Sequence, residues 1–572
     1  MSTAEKIRQA IEKTSPFFKA DEIKKYAENF VREYSQIGDS PLYKGKHCGS
    51  KAEQEGSEYI YTQLKKTGLQ AELLPFETTR FQFNDATITL PDGSAPIKPY
   101  ACLTYPTAAG GITAEVVDVG KGDKEFYETH DIKGKIALIE TKEDFEDGTV
   151  VGSFQMYEAE ANGAAGIILY TDTYIYDRDT IRATYSLFDV TIPNATVSYN
   201  DAMRIKAYAD RALAKPGADN LKIIMEIDSE YDRTGGTSYN VMGILPGKTD
   251  EYIVYSCHLD HFFYGVQDNV SSVATLLGIE KAMKESGYEP ERNIVFLFTA
   301  SHEIGRVDSA APDILGAWTF FTEQKPELTG RTIAVINFEY GGLHTDNLRV
   351  LMSQEMNAQY ADFASYMPDE SVKGLGPVVE EFNTEDYYLL TWADSIAAIM
   401  NGIPLIMNDT IYDQIYMGTS PYMGRDHSNK DDMMIYDSDA NAGSIYWYGC
   451  LGVYLDNIGT LVTDYENRAE YIALKDEEKE FLDTEGIDRS EFEKQRRLFK
   501  KLGRHVTSEL KRINSEGCEA DCVPDFGSVN RKLLEIQKAI ADVSDGLTTA
   551  APCMLEVPHC VYIAKGILFR QA

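Results

Sequence analysis

The spacing of apolar residues along the chain changes repeatedly, and each change marks a different kind of structure. The opening stretch MSTAEKIRQAIEKTSPFF places its apolar residues as one face of an amphipathic helix. A second helix is expected from AEQEGSEYIYTQLKKTGL, where Ile60, Leu64 and Leu69 share a side and a glycine ends the run. From about residue 100 to 230 the runs shorten and become β-branched: TAEVVDV, GKIALIE, AAGIILYT, IPNATVS and KIIMEI. One helix-like stretch, SFQMYEAEANG, falls among them, and the whole predicts a compact β-rich module.

After the joint YDRTGGTSYN, strand and helix alternate. YNVMGILPG, EYIVYSCHLD, RNIVFLFTA and RTIAVINFEY read as buried strands, SSVATLLGIEKAMKESG and LGAWTFFTEQ as helices. That alternation predicts an α/β sheet with crossover helices. From about residue 440 the chain reads as helical, including DRSEFEKQRRLFKKLGRHVTSELKRIN, a polar tail of the kind that packs on a core or pairs subunits.

A chain of 572 residues is too long for a single core. The textures divide it into residues 1–97, the N-terminal part of the main domain; 98–232, the β-rich insertion; 233–460, the main α/β domain; and 461–572, a helical region suited to dimerisation. With 43% hydrophobic and 26% charged residues, the composition is that of an ordinary soluble protein. The formal net charge of −36 argues against nucleic acid or anionic membrane as partner, because phosphates would be repelled. No apolar run approaches the ~18–20 residues of a membrane span, and the first residues lack the apolar core of a signal peptide. The cysteines are therefore expected to be reduced and the protein cytoplasmic. Cys518, Cys522, Cys553 and Cys560 cluster near the end, but their spacing is irregular for zinc and they read as structural.

The chemistry-bearing residues sit where apolar strands run out. His258 and Asp260 end EYIVYSCHLD, His302 and Glu303 follow RNIVFLFTAS, and Glu339 ends RTIAVINFE. Asp268 stands just before a helix, and His427 lies in the loop MGRDHSNKDD. In α/β sheets, ligands bind beyond the carboxyl ends of the strands. Two imidazoles (His258, His427) and three carboxylates (Asp268, Glu303, Glu339) make a shell for two divalent cations sharing one carboxylate. Three negative charges against four positive ones leave a balance that one hydroxide would complete. Zinc is the first candidate, and cobalt or manganese would suit the same ligands.

YNVMGILPGKTDEYIVYSCHLD, QDNVSSVATLLGIEKAM, FTASHEIG, INFEYGG, NGIPLI and DHSNKDD also carry a resemblance. In order and spacing they are similar to the di-zinc aminopeptidase family that includes glutamate carboxypeptidase and the transferrin receptor, over about residues 25–450. Within that span, DIKGKIALIE and EANGAAGIILY resemble a protease-associated domain, a module that covers substrate sites. The resemblance implies a mixed sheet with helices on both faces. It puts His258 and Glu303 on different ions, joined by Glu339 and His427 in some distribution, with Asp268 bridging. Asp260 would orient His258, the substrate would be a peptide or small molecule, and the protein would be a homodimer.

The chain departs from that pattern in places. His302 occupies the position of the family's catalytic glutamate, the base that takes a proton from the attacking water. Glutamate becomes neutral on accepting a proton, whereas histidine becomes a cation beside two metals, so the cations should depress its basicity. Glu339 replaces a more usual aspartate, and RVDSAAPD, with Arg306 and Asp308, is an insertion beside the site. Arg306 is expected to meet a substrate carboxylate. In NTEDYYLLTWADS, Tyr387, Tyr388 and Asp394 are expected to line the pocket, whereas His261 and His344 are expected to have no metal role. The reading is a metal-dependent hydrolase cleaving an amide bond in a peptide or small acylated amino acid, with His302 in the base's place. The alternatives are a lyase or deacylase on the same scaffold, or a non-catalytic binding protein.

Overall fold

The computed structural model describes residues 2–19, 23–34, 45–141, 153–172, 177–186, 190–213, 222–306, 313–341, 350–367, 393–409, 425, 427–471, 473–474, 476–484, 486–515 and 525–545. Its strands are β1 (Gln70–Thr89), β2 (Ile112–Asp118), β3 (Ile136–Glu140), β4 (Gly166–Tyr170), β5 (Asn194–Thr196), β6 (Lys222–Leu245), β7 (Tyr252–His258), β8 (Asn293–Thr299), β9 (Thr332–Glu339), β10 (Val350–Met352) and β11 (Leu405–Asp409). They run in the order β10-β11-β9-β7-β8-β6-β2-β3-β4-β5, with β1 on β6.

The centre of the main domain is the parallel set β8-β7-β9-β11, bordered by antiparallel β6 and β10. Its strands are apolar runs buried on both faces, as parallel strands must be when helices cover both sides. Successive residues go to opposite cores. Ile253, Tyr255 and Cys257 join the larger cluster under the helices Ile23–Tyr34, Ser271–Glu285 and Ser438–Asn457, while Val254 joins Phe320, Ala397 and Leu405 on the other face. Close packing on the first face needs glycine. A Cβ at Gly278 would lie 2.7 Å from Ile445, and one at Gly452 would overlap the Tyr255 hydroxyl.

The N-terminal part, which begins with the expected helix-like segments, also holds a long strand that the sequence reading did not name. β1 is 20 residues long and pairs antiparallel with β6 along nearly its whole length. Pro75 hides it from a search for regular strands, but β1 pairs only with β6 and so is an edge, where proline is tolerated. The β1–β6 ribbon belongs to two sheets at once. Residues 241–245 of β6 pair with β8 of the main sheet, whereas residues 222–225 pair with β2 of the inserted module. There the parallel strands β2–β5 and the helix Tyr199–Leu213 enclose a separate core around Ile136, Leu138, Ile168 and Ile205. The described residues beyond 464 include the helices Tyr465–Tyr471, Asp476–Thr484, Ser490–Ser515 and Phe526–Asp545. Arg292 ties the end of Ser438–Asn457 to the sheet, donating to the carbonyls of Leu455, Asp456 and Ile458 and to Glu251. Among the described residues, no helix is long and apolar enough to cross a membrane.

Candidate metal centre

The parallel strands end together, and β7 and β9 finish in His258 and Glu339. His258 Nδ1 donates to the backbone carbonyl of Asp260 at 2.9 Å, so its Nε2 carries the lone pair. That Nε2 faces Asp268 Oδ1 at 3.0 Å and Glu339 Oε2 at 3.1 Å. His427 Nε2 faces Asp268 Oδ2 and Glu303 Oε2, each at 3.1 Å. Two clusters result, each an imidazole nitrogen with two carboxylate oxygens, and Asp268 gives one oxygen to each. Lone pairs converging at this range repel unless a proton or a cation lies between them. Without a cation, protons take that place. Burial opposes charge on His258, but Glu339 and Asp268 outweigh it and hold the imidazole's pKa well above its ordinary value. Burial also works against ionised Asp268, yet the hydrogen bonds of His258 and His427 hold it well below the usual carboxylate range. Glu303 is pushed up to about 7, chiefly by burial, and its Oε1 is buried with no hydrogen-bond partner. An imidazole lone pair aimed at carboxylates, together with an orphaned carboxylate oxygen, is the donor chemistry of a divalent-cation site.

The surrounding hydrogen bonds fix the ligands. The Asp431 carboxylate, almost fully buried, receives the backbone N–H groups of Gln267 (2.6 Å) and Asp268 (3.2 Å). Asn269 donates to Glu339 Oε2 at 2.6 Å, and Asn408 exchanges two bonds with the Glu339 backbone. The turn carrying His302 and Glu303 is gripped from below. Glu53 receives the N–H of Ser301 at 2.9 Å, and Asp260 receives those of His302 (3.0 Å) and Glu303 (2.9 Å). This differs from the role expected of Asp260. Its carboxylate stands 3.8 Å from His258 Nδ1, and its backbone carbonyl orients the imidazole while the carboxylate holds the turn.

His302 Nδ1 lies 2.8 Å from Asp394 Oδ1, and the other Asp394 oxygen accepts from the Thr299 hydroxyl. Asp394, expected to line the substrate pocket, is instead 3% exposed and engaged with His302. It is held below the usual range because His302 outweighs the effect of burial. An ionised carboxylate only accepts, so in the neutral ring Nδ1 carries the proton and Nε2 the lone pair. Burial and the His258 charge lower the basicity of His302, but Asp394 wins and raises its pKa to about 9 in the cation-free chain.

A ring nitrogen of His302 also lies within 4.8 Å of ligand atoms of His258 and Glu339. The rings of His258 and His302 are stacked, with centroids 3.8 Å apart and planes 5° from parallel. An imidazole lone pair lies in its ring plane, and two parallel, offset planes cannot both contain one ion bonded at about 2.0–2.1 Å. His302 therefore stands over the ligand set rather than in it.

The remaining expected site residues fall elsewhere. Arg306 donates to Glu77 at 3.3 Å on a half-exposed flank, rather than lying open for a substrate carboxylate. His261 is buried, with its ring nitrogens facing Lys46 and the Phe263 carbonyl. Asp308, His344, Tyr387, Tyr388, Cys518, Cys522, Cys553 and Cys560 lie outside the described residues. The sequence reading passed over Glu53, Asn269, Asp431 and Tyr185, whose hydroxyl is 3.4 Å from the Glu303 carbonyl. Only Asn269 and Asp431 had a visible signal, as polar neighbours of Asp268 and His427 inside strongly patterned segments.

Comparison with known proteins agrees with this geometry. Residues 240–445 match the sequence profile of Peptidase family M28, and residues 99–205 match that of the PA domain. The chain is 31% identical to the Aminopeptidase NAALADL1 of Mus musculus over 119 residues, which are 20% of this chain and 15% of that one. It is 25% identical to the Glutamate carboxypeptidase 2 homolog of Caenorhabditis briggsae over 321 residues, 42% of this chain and 40% of that one. The alignments thus span well under two thirds of these curated relatives. BSAP, a zinc aminopeptidase from Bacillus subtilis, superposes with a TM-score of 0.53 at 17% identity, over 76% of this chain and 94% of that one, and so shares the fold. The chain is thus similar to Peptidase family M28 over residues 240–445 and to the PA domain over residues 99–205, and it shares its fold with a zinc aminopeptidase.

Proposed function

We propose that the protein is a metal-dependent amide hydrolase of the aminopeptidase type, acting on a peptide or a small acylated amino acid with His302 as its general base. The observation that carries this reading is the His302–Asp394 pair above His258. His258, Asp268 and Glu339 would hold one divalent ion and His427, Asp268 and Glu303 a second, with zinc the first candidate. Bound there, such ions would polarise the scissile carbonyl and ease deprotonation of the attacking water.

Everything else belongs to side chains of the chain. Asp394 fixes the imidazole of His302 with Nε2 free to take the water's proton, and then balances the imidazolium that forms. A glutamate base would need no such partner, because it becomes neutral. The buried Asp394 answers the cationic state that His302 brings. His302 can then return the proton to the departing amine. A homodimeric, cytoplasmic protein remains part of the proposal, and four free cysteines, Cys48, Cys102, Cys257 and Cys450, are buried in keeping with a reducing compartment.

The test is zinc content by mass spectrometry together with hydrolysis of aminoacyl anilides by the wild type, Asp394→Asn and His302→Glu. The expected result is about two zinc per chain and a kcat in Asp394→Asn lower by ~10²–10⁴, with KM little changed. Zinc without hydrolysis in the wild type, but with hydrolysis in His302→Glu, would mean that the scaffold runs another reaction. No zinc uptake at all would leave a binding protein.

A further inference from the structure

Unlike His258 and Glu339, which end strands, and Glu303, on the turn after β8, His427 lies in a loop distant in sequence from all three, and its backbone is in the left-handed region at φ 51°. A non-glycine residue rarely rests there unless its surroundings hold it. The PA domain supplies part of that hold. Ala183 donates its N–H to the His427 carbonyl at 2.7 Å, and Asn429 donates its N–H to the Ile181 carbonyl at 3.0 Å. In return Ile181 donates its N–H to Asn429 Oδ1 at 3.0 Å, and Arg182 and Ser428 form an antiparallel bridge. Ile181 and Ala183 are buried in this contact. Around it, the Phe262 ring meets His427 edge-on at 4.9 Å and Tyr185 at 5.5 Å. The Tyr185 hydroxyl reaches the backbone of Glu303, the other ligand of the same proposed ion.

We infer that the inserted PA domain is a structural part of the metal centre: residues 181–185 are positioning residues that set His427 and Glu303 for one ion, and the His258–Glu339 ion does not depend on them. The two ions should therefore differ in how they respond to changes far out in the insertion. A cover that only screens substrate would touch neither. This inference rests on the two-ion reading above.

The test uses the full chain, stripped with chelator, reloaded with zinc and titrated against a chromophoric chelator. Ala183→Pro removes the N–H that His427 accepts, and Asn429→Ala removes the acceptor of the Ile181 N–H. Each should weaken one of the two zinc ions about 10–100-fold and leave the other at its wild-type affinity. Asn429→Asp, which keeps an acceptor oxygen, should restore wild-type behaviour. Folded variants (by circular dichroism) that bind both ions like the wild type would overturn the inference, as would an equal loss of both. A wild-type chain holding fewer than two zinc ions would instead overturn the two-ion reading beneath it.

Discussion

At the scale of single residues, the molecule keeps carboxyl groups where water cannot reach them, and their surroundings decide which remain charged. Asp268 is ionised because two imidazoles face it. Glu280, on the helix Ser271–Glu285, lacks such a partner. It is 2% exposed, its Oε1 has no hydrogen-bond partner among the described residues, and burial outweighs a hydrogen bond from Thr67 and pushes its pKa up to about 7. The folded chain thus holds a proton that the unfolded chain has released across the window from about 4.5 to about 7. A native state that binds more protons loses stability as pH rises through that window, and the loss is complete above it. Glu280→Gln carries no such charge, so it should stabilise the protein at pH 8 by up to about 3 kcal/mol and change little at pH 4.5. Urea unfolding at both pH values checks this, and equal effects at both would show that Glu280 is not protonated in the fold.

At the scale of elements, the close approach of the helix Ser438–Asn457 to β7 sets the platform from which His258 projects. Tyr255, three residues before His258, donates its hydroxyl to the Tyr448 carbonyl at 2.9 Å and fills the space that a side chain at Gly452 would need. Gly452→Ala should force the helix away from the strand and cost about 1–3 kcal/mol, read as a lower unfolding midpoint. Tyr255→Phe, which removes the overlapping oxygen, should recover part of that loss in the double variant. Purely additive losses would mean that the helix tolerates the methyl by another route.

At the scale of the whole molecule, the proposed ligands come from β7, β9, the turn after β8, the residues before Ser271–Glu285 and a loop bonded to residues 181–183. Ions binding such a set link parts of the chain that are far apart in sequence, and they bind the folded state only. Chelation should therefore lower the thermal midpoint, by an amount corresponding to about 4 kcal/mol for an ion present at a thousandfold excess over its dissociation constant. Unfolding followed with and without chelator measures it. An unchanged midpoint would mean that the ligand cluster folds with no bound ion.

The sequence by itself was enough for the elements whose signal is local. The apolar runs of β7, β8 and β9 declare buried parallel strands, and His258 and Glu339 at the ends of β7 and β9, with Glu303 on the turn after β8, declare a rim of imidazole and carboxylate groups, because these groups follow directly where the apolar runs stop. The pairing of His302 with Glu303 just past β8 was equally visible. Only the tertiary structure decided which partners these residues meet. Asp394 reads as one more polar residue in a loop, and nothing in its neighbours says that it meets His302 across 92 positions of chain. Glu53 reaches Ser301 across 248 positions, and Ala183 reaches His427 across a comparable gap. Periodicity reports burial and secondary structure. The choice of hydrogen-bond partner belongs to packing, which brings distant groups within 3 Å and leaves no trace in either segment alone.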